Sequence, residues 1–307
     1  MRAAVRLVAL VIVVGFWGWY FAANARTLLE HPWQISGWPL AIAAFLWCCY
    51  FLLMAAGWVL AVRCSDGNLG WRLGAGIWLS SMPARYVPGN VWHIAGRLYL
   101  ATRAGVPAET TVLSSVVEQV LTVASELIVF LLLLPFWPGL PALGSLGPLL
   151  GVPLALLGLH PRLLRAALRL MSRILKRPLA VSPPRYGQLL IVLIWYVATA
   201  FVNGLAFFMT AGALGVAGGG LLPLLAGSYL FARALGFLSL VTPSGIGVRE
   251  AILAGLLAPY LSPPPATALS LMARLLSTAA EGLTVLAVNV YAATPRRNRD
   301  LSQEVEL

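Results

Sequence analysis

Thr242-Pro243-Ser244-Gly245-Ile246-Gly247-Val248-Arg249-Glu250 sets a proline, two glycines and two ionised side chains into otherwise apolar sequence. An earlier stretch does the same: Arg85-Tyr86-Val87-Pro88-Gly89-Asn90, with Gly96-Arg97 following. At bilayer depth, irregular backbone and charge are tolerated only where they face protein or a wet cavity. Paired interruptions in two parts of a chain point to a transporter binding site.

The surrounding composition fits a membrane. The 307 residues are 60% hydrophobic and only 10% charged, against about 25% charged in soluble domains. Mean hydropathy is +0.86. Apolar stretches such as Ala41–Leu60 are continuous. A transmembrane β-barrel would instead alternate polar and apolar residues. The predicted fold class is all-α, a polytopic helical membrane protein with seven or eight transmembrane helices.

Seven spans of membrane length are predicted: Ala4–Phe21, Trp38–Val62, Thr110–Leu134, Pro141–Leu159, Tyr186–Ala211, Leu221–Val241 and Ala266–Ala292. The first resembles a signal peptide, with Arg2 and Arg6 ahead of its apolar run and Ala23-Asn24-Ala25 after it. An uncleaved helix is the preferred reading because more spans follow. Trp71–Ala104 and Pro243–Leu261 are apolar but broken, and are read as re-entrant or half-helix segments.

Between Pro141–Leu159 and Tyr186–Ala211, Arg162, Arg165, Arg169, Arg173 and Lys176 share one helical face. Leu163, Leu164, Leu168, Met171 and Leu175 share the other. Residues 160–177 thus read as an amphipathic helix on the anionic cytoplasmic leaflet. The positive-inside rule then puts the N-terminus in the cytoplasm. The net charge of +11 is explained the same way, so nucleic acid is not an expected partner. Seven crossings would leave Arg296-Arg297-Asn298-Arg299 outside. Full crossing by Pro243–Leu261 would give eight, with both termini inside, and is the favoured count.

A shift of roughly 155 residues lays Pro88-Gly89 on Pro243-Ser244, and Glu118 near Arg274. Residues 1–292 are therefore read as one membrane domain with repeat halves near 64–135 and 221–292, and 293–307 as a polar tail. Within Thr110–Leu134, the residues Ser114, Glu118, Thr122, Ser125 and Glu126 make one polar stripe by helical spacing. Ser270, Arg274, Ser277, Thr278, Glu281 and Thr284 make a second. A charge at the helix centre costs at least ~2.5–3.5 kcal/mol on insertion scales, so these groups are expected to pair or to serve a ligand. Glu118 with Arg274 is the first expected pair. Arg233 could meet Glu126, Glu250, Glu281 or a ligand phosphate.

Gly89, Gly245 and Gly247 permit close approach of a ligand to the backbone. Arg85, Arg97 and Arg249 add positive charge suited to a phosphate or carboxylate. Trp78, Tyr86 and Trp92 are read as interfacial side chains, lining a lipid entry path or belonging to the aromatic belt. No metal or cofactor is expected. Cys48, Cys49 and Cys64 form no ligand spacing, His31, His93 and His160 are scattered, and neither GxxxxGK[ST] nor HExxH occurs. No Ser or Cys nucleophile has an evident His base, so an enzyme is not expected.

The second motif closely resembles the Pro-x-Gly-x-Gly-x-Arg-Glu signature of the lysylphosphatidylglycerol-synthase transmembrane, or flippase-like, family. Pro88-Gly89, Gly96-Arg97, Gly105-Val106-Pro107 and Met272-Ala273-Arg274-Leu275 extend the resemblance over about residues 5–292. It implies a bacterial inner-membrane module that moves lipids with charged or phosphate-containing headgroups. Anionic or aminoacylated phospholipids, polyprenyl-phosphate sugars and hopanoid-type lipids are the implied partners. A cytosolic aminoacyl-transferase domain follows the module in multiple-peptide-resistance proteins; only Thr294–Leu307 follows the last predicted span here. The family often carries a Glu-Arg pair followed by Asp three residues later. Glu118, Gln119 and Thr122 stand there instead.

The expected headgroup cleft comprises Arg85, Pro88, Gly89, Arg97, Glu118, Glu126, Arg233, Pro243, Gly245, Gly247, Arg249, Glu250, Arg274 and Glu281. The rival readings are a non-catalytic scaffold of a lipid or glycolipid synthesis system and a membrane-embedded lipid-modifying enzyme. Oligomeric state is not legible in the sequence.

Overall fold

Helix α1, Gly37–Cys64, holds a stripe of three aromatic residues and a methionine at helical spacing, Trp47, Tyr50, Met54 and Trp58, buried along one face. Its 28 residues rise about 42 Å, more than the ~30 Å hydrocarbon core requires. The computed structural model describes residues 35–65, 67–86, 92–139, 184–216, 218–238, 248–261 and 263–293, with isolated positions 22, 25, 26, 151 and 153. The predicted spans Ala4–Phe21 and Pro141–Leu159, the amphipathic stretch 160–177 and the tail from residue 294 lie outside the described residues, apart from isolated positions.

After α1 come α2 (Trp71–Ser81), a 3-10 turn (Met82–Tyr86), α3 (Trp92–Arg103) and α4 (Ala108–Leu133). Then follow α5 (Tyr186–Ala213), α6 (Leu222–Leu238), α7 (Val248–Leu257) and α8 (Pro263–Ala293). The described residues contain helices and connecting turns throughout. Four stretches are long and apolar enough to cross a membrane: Gly37–Cys64, Ala108–Phe136, Tyr186–Ala213 and Ala268–Val288. They match four predicted spans; Leu222–Leu238, within a fifth, is a shorter apolar helix.

The two broken regions contain short helices, as their Pro and Gly content dictates. α2, α3 and α7 have 11, 12 and 10 residues, which at about 1.5 Å per residue cover roughly half the hydrocarbon core. The crossing count around Pro243–Leu261 turns on 239–247, outside the described residues. Gly105, at φ +84°, ends α3: the Val106 N–H donates to the Ala101 carbonyl at 3.0 Å, a left-handed closure that glycine takes without strain.

Close helix approach depends on small residues. Any Cβ on Gly57 would lie 2.7 Å from the Tyr196 ring, so glycine lets α1 pack against α5. The Trp195 Nε1–H donates to the Leu53 carbonyl at 2.9 Å across the same contact. The Ser36 N–H donates to Ala213 at 2.9 Å, so α1 begins where α5 ends and the two run antiparallel. Gly204 on α5 faces Ala226 on α6 in the same manner. The Trp137 Nε1–H, beyond the end of α4, donates to the Pro223 carbonyl at 3.1 Å near the start of α6.

Candidate functional site

α4 positions the centre of the site because its polar stripe turns inward. Glu118 and Glu126 lie eight residues apart, about 12 Å along the axis, and both are buried. Glu118 ion-pairs with Arg97 of α3 and accepts a hydrogen bond from Trp78 Nε1 of α2 at 2.6 Å. The Arg97 guanidinium is wholly enclosed, 5.0 Å from the Trp58 ring centroid and 5.5 Å from that of Trp78. The Ser81 and Ser115 hydroxyls stand 3.5 Å from its Nε and Nη1.

Glu126 accepts from Arg233 of α6, at 2.7 Å from Nε and 2.5 Å from Nη2. Arg233 lies 5.0 Å from the Tyr50 ring centroid. Arg85, in the 3-10 turn, ion-pairs with Glu281 of α8, and Arg274 of α8 donates to Glu250 of α7 at 2.6 Å. Burying such charges is costly unless geometry and further hydrogen bonds compensate; each carboxylate here has a guanidinium within bonding reach.

The expected Glu118–Arg274 pair does not form. α3 packs on α4 and α7 on α8, so each of these charges meets its neighbouring short helix instead. Trp78 is no belt residue: it is 1% exposed, because its indole N–H meets a Glu118 oxygen, and a buried Trp usually needs such a partner. Trp92 is half exposed. Arg233 resolves to Glu126 among its three candidate carboxylates. Pro88, Gly89, Pro243, Gly245 and Gly247 lie outside the described residues.

Between these helices is a cavity of about 130 Å³, several times the ~30 Å³ share of one water molecule. Arg85, Glu118, Glu126, Arg233 and Arg249 line it. Arg97 and Glu281 stand behind as the partners of Glu118 and Arg85, and the Glu250–Arg274 pair joins α7 to α8 outside the lining. Five predicted site residues therefore converge on one space.

Apart from Trp78, sequence reading missed the aromatic wall. Trp47, Tyr50, Phe51, Trp78, Tyr229 and Phe237 share the cavity with Met54, Met82, His93, Gln119, Thr122 and Ser277. The signal was present in the spacing of Trp47, Tyr50 and Met54 on α1. A second cavity, about 230 Å³, is lined by apolar side chains of α4, α5 and α6 with Gly204. The first combines apolar walls with convergent polar groups, the usual pattern of a ligand site.

Arg249 differs from the other four arginines. Among the described residues it has no ion-pair partner; its guanidinium lies 4.6 Å from the Tyr229 ring centroid, and its buried Nε has no hydrogen-bond partner. Gly236 of α6 sets its position, since a Cβ there would come within 3.0 Å of the Arg249 Cβ.

The family model described as lysylphosphatidylglycerol synthase TM region matches residues 5–282. The chain belongs to this family. The match includes every site residue named above and joins the apolar helices in identifying a multi-pass membrane protein. As a lysylphosphatidylglycerol synthase TM region, the chain carries the membrane domain of a group of lipid-related membrane proteins. Among curated proteins, none matches the sequence significantly.

Proposed function

We propose that the protein is a lipid translocase of the bacterial inner membrane, and that the cavity receives the headgroup of a lipid with a phosphate or other anionic group. The carrying observation is Arg249, a cavity-lining cation that makes no ion-pair contact with a carboxylate among the described residues. An arginine held in a partly buried, aromatic-walled space is suited to phosphate oxygens, which accept from its planar fork of donors. The acyl chains stay in the bilayer while the headgroup moves through the cleft. Arg2, Arg6 and the basic stretch 160–177 support a cytoplasmic N-terminus.

The arrangement of charge supports two halves that move against each other. Glu126 and Glu281 are 155 residues apart, the offset of the proposed repeat. Each takes an arginine from the opposite half: Arg233 to Glu126, and Arg85 to Glu281. The other two pairs stay within their halves. Rocking of the halves would make and break the first two pairs while leaving the second two intact.

The test is headgroup movement in proteoliposomes containing purified protein and fluorescent anionic and aminoacylated lipids. Wild-type protein is expected to equilibrate labelled lipid between leaflets, and Arg249→Ala to slow this at least tenfold. Absence of movement for every lipid, with monodisperse folded protein, would overturn translocation and favour a scaffold role.

A further inference from the structure

The cavity's hydrogen-bonding groups carry more information than its charge. Arg85, Arg97, Arg233 and Arg249 face Glu118, Glu126 and Glu281 in and immediately behind the lining. Four cations against three anions leave one positive charge, enough for one phosphodiester. Each of those carboxylates already holds a guanidinium. Four of the six lining aromatic side chains that could receive an ammonium are already covered by a guanidinium: Phe51 by Arg85, Tyr50 by Arg233, Tyr229 by Arg249 and Trp78 by Arg97.

Among the described residues, buried polar atoms on the lining side chains that lack a hydrogen-bond partner include Trp47 Nε1, His93 Nδ1, Thr122 Oγ1, Tyr229 OH and Arg249 Nε. Trp47, His93 and Tyr229 are 1%, 5% and 0% exposed. Buried polar groups in folded proteins are normally satisfied. The indole and guanidinium nitrogens only donate, whereas the Thr122 and Tyr229 hydroxyls donate and accept. In either class the phosphate supplies acceptors to Trp47 and Arg249; an ammonium then offers donors alone and adds a second positive charge to a site that already holds one in excess. A polyol offers hydroxyls that both accept and donate.

We propose that the cavity selects a lipid whose phosphodiester bears an uncharged polyol, such as a glycerol or cyclitol, over one whose headgroup bears an ammonium. This rests on the translocase reading and assigns its substrate class. Thr122, on the cavity lining, supplies a hydroxyl to the polyol.

The full chain in detergent, titrated by native mass spectrometry, tests this. The probes are phosphatidylinositol, phosphatidylglycerol, phosphatidic acid, phosphatidylethanolamine and lysyl-phosphatidylglycerol with matched acyl chains. Phosphatidylinositol and phosphatidylglycerol are expected to bind at least tenfold tighter than either amine-bearing lipid. Thr122→Val with Tyr229→Phe should lower the preference for phosphatidylinositol over phosphatidic acid at least threefold. Thr122→Val alone, with parental elution and melting, should lower it in part.

Lysyl-phosphatidylglycerol binding as tightly as phosphatidylinositol to the wild type would overturn the assignment, and that ranking needs no variant. An unchanged preference in the folded double variant would overturn it as well. If the same preparations flip lipid but favour the amine, translocation stands and the polyol assignment alone fails. If no lipid binds or moves, both fail.

Discussion

At the residue scale, the pairs Arg97–Glu118 and Arg233–Glu126 and the lone Arg249 obey different energetics. Removing one member of a buried pair strands the other charge, which typically costs 3–5 kcal/mol. Glu118→Ala is therefore expected to lower stability by about that much, measured by denaturant titration in mixed micelles. Arg97→Met combined with Glu118→Leu should recover most of it, since neither charge is then stranded. Arg249→Ala strands no described carboxylate. Its stability cost is limited to its contact with Tyr229, about 0.5–2 kcal/mol, while lipid movement falls as argued above. The residue types at this site were legible because charge in an apolar helix is expensive. The partners were not: a helical stripe says which side chains share a face, and not which neighbouring helix meets that face.

At the element scale, glycine sets how closely helices approach. Gly57→Leu would drive a side chain into the Tyr196 ring, 2.7 Å from the Cβ position. Overpacking of this kind costs about 1–3 kcal/mol, and a matching loss of stability in the same titration is expected. Gly282 on α8 has no atom within 4 Å of its Cβ position. Gly282→Ala should be neutral or add up to about 1 kcal/mol through helix propensity. Gly236→Leu should act on function more than on stability, because it displaces the start of α7 and with it Arg249. The expected reading is lipid movement reduced at least fivefold in protein that still elutes as one species. Long helices α1, α4, α5 and α8 were readable from apolar length alone. The short helices α2, α3 and α7 were readable as breaks, since Pro and Gly mark where a helix stops but leave open how its ends pack.

At the scale of the whole molecule, two ion pairs among the described residues, Arg85–Glu281 and Arg233–Glu126, join the proposed halves. Arg85→Gln with Glu281→Gln and Arg233→Gln with Glu126→Gln, combined, remove both ties without stranding a charge. On a background with Cys48, Cys49 and Cys64 replaced by serine, Thr122→Cys reports access to the cavity. Labelling by a membrane-impermeant thiol reagent is expected to rise at least threefold in the quadruple-neutral variant. Unchanged labelling from both sides would argue that the halves do not separate along these contacts.

The sequence by itself determined that this chain is a bundle of apolar helices interrupted at two charged, glycine-bearing breaks, because composition, helical period and the cost of charge in lipid are local properties of the chain. It also carried the family membership, through Pro243 to Glu250 and the segments around Arg97 and Arg274. Only the tertiary structure decided that Glu118 meets Arg97 and Trp78, that Arg274 meets Glu250, and that Arg249 is left facing Tyr229. Those outcomes depend on distances between helices far apart in the chain, and such distances are fixed by packing, at contacts such as Gly57 on Tyr196 and Gly236 on Arg249.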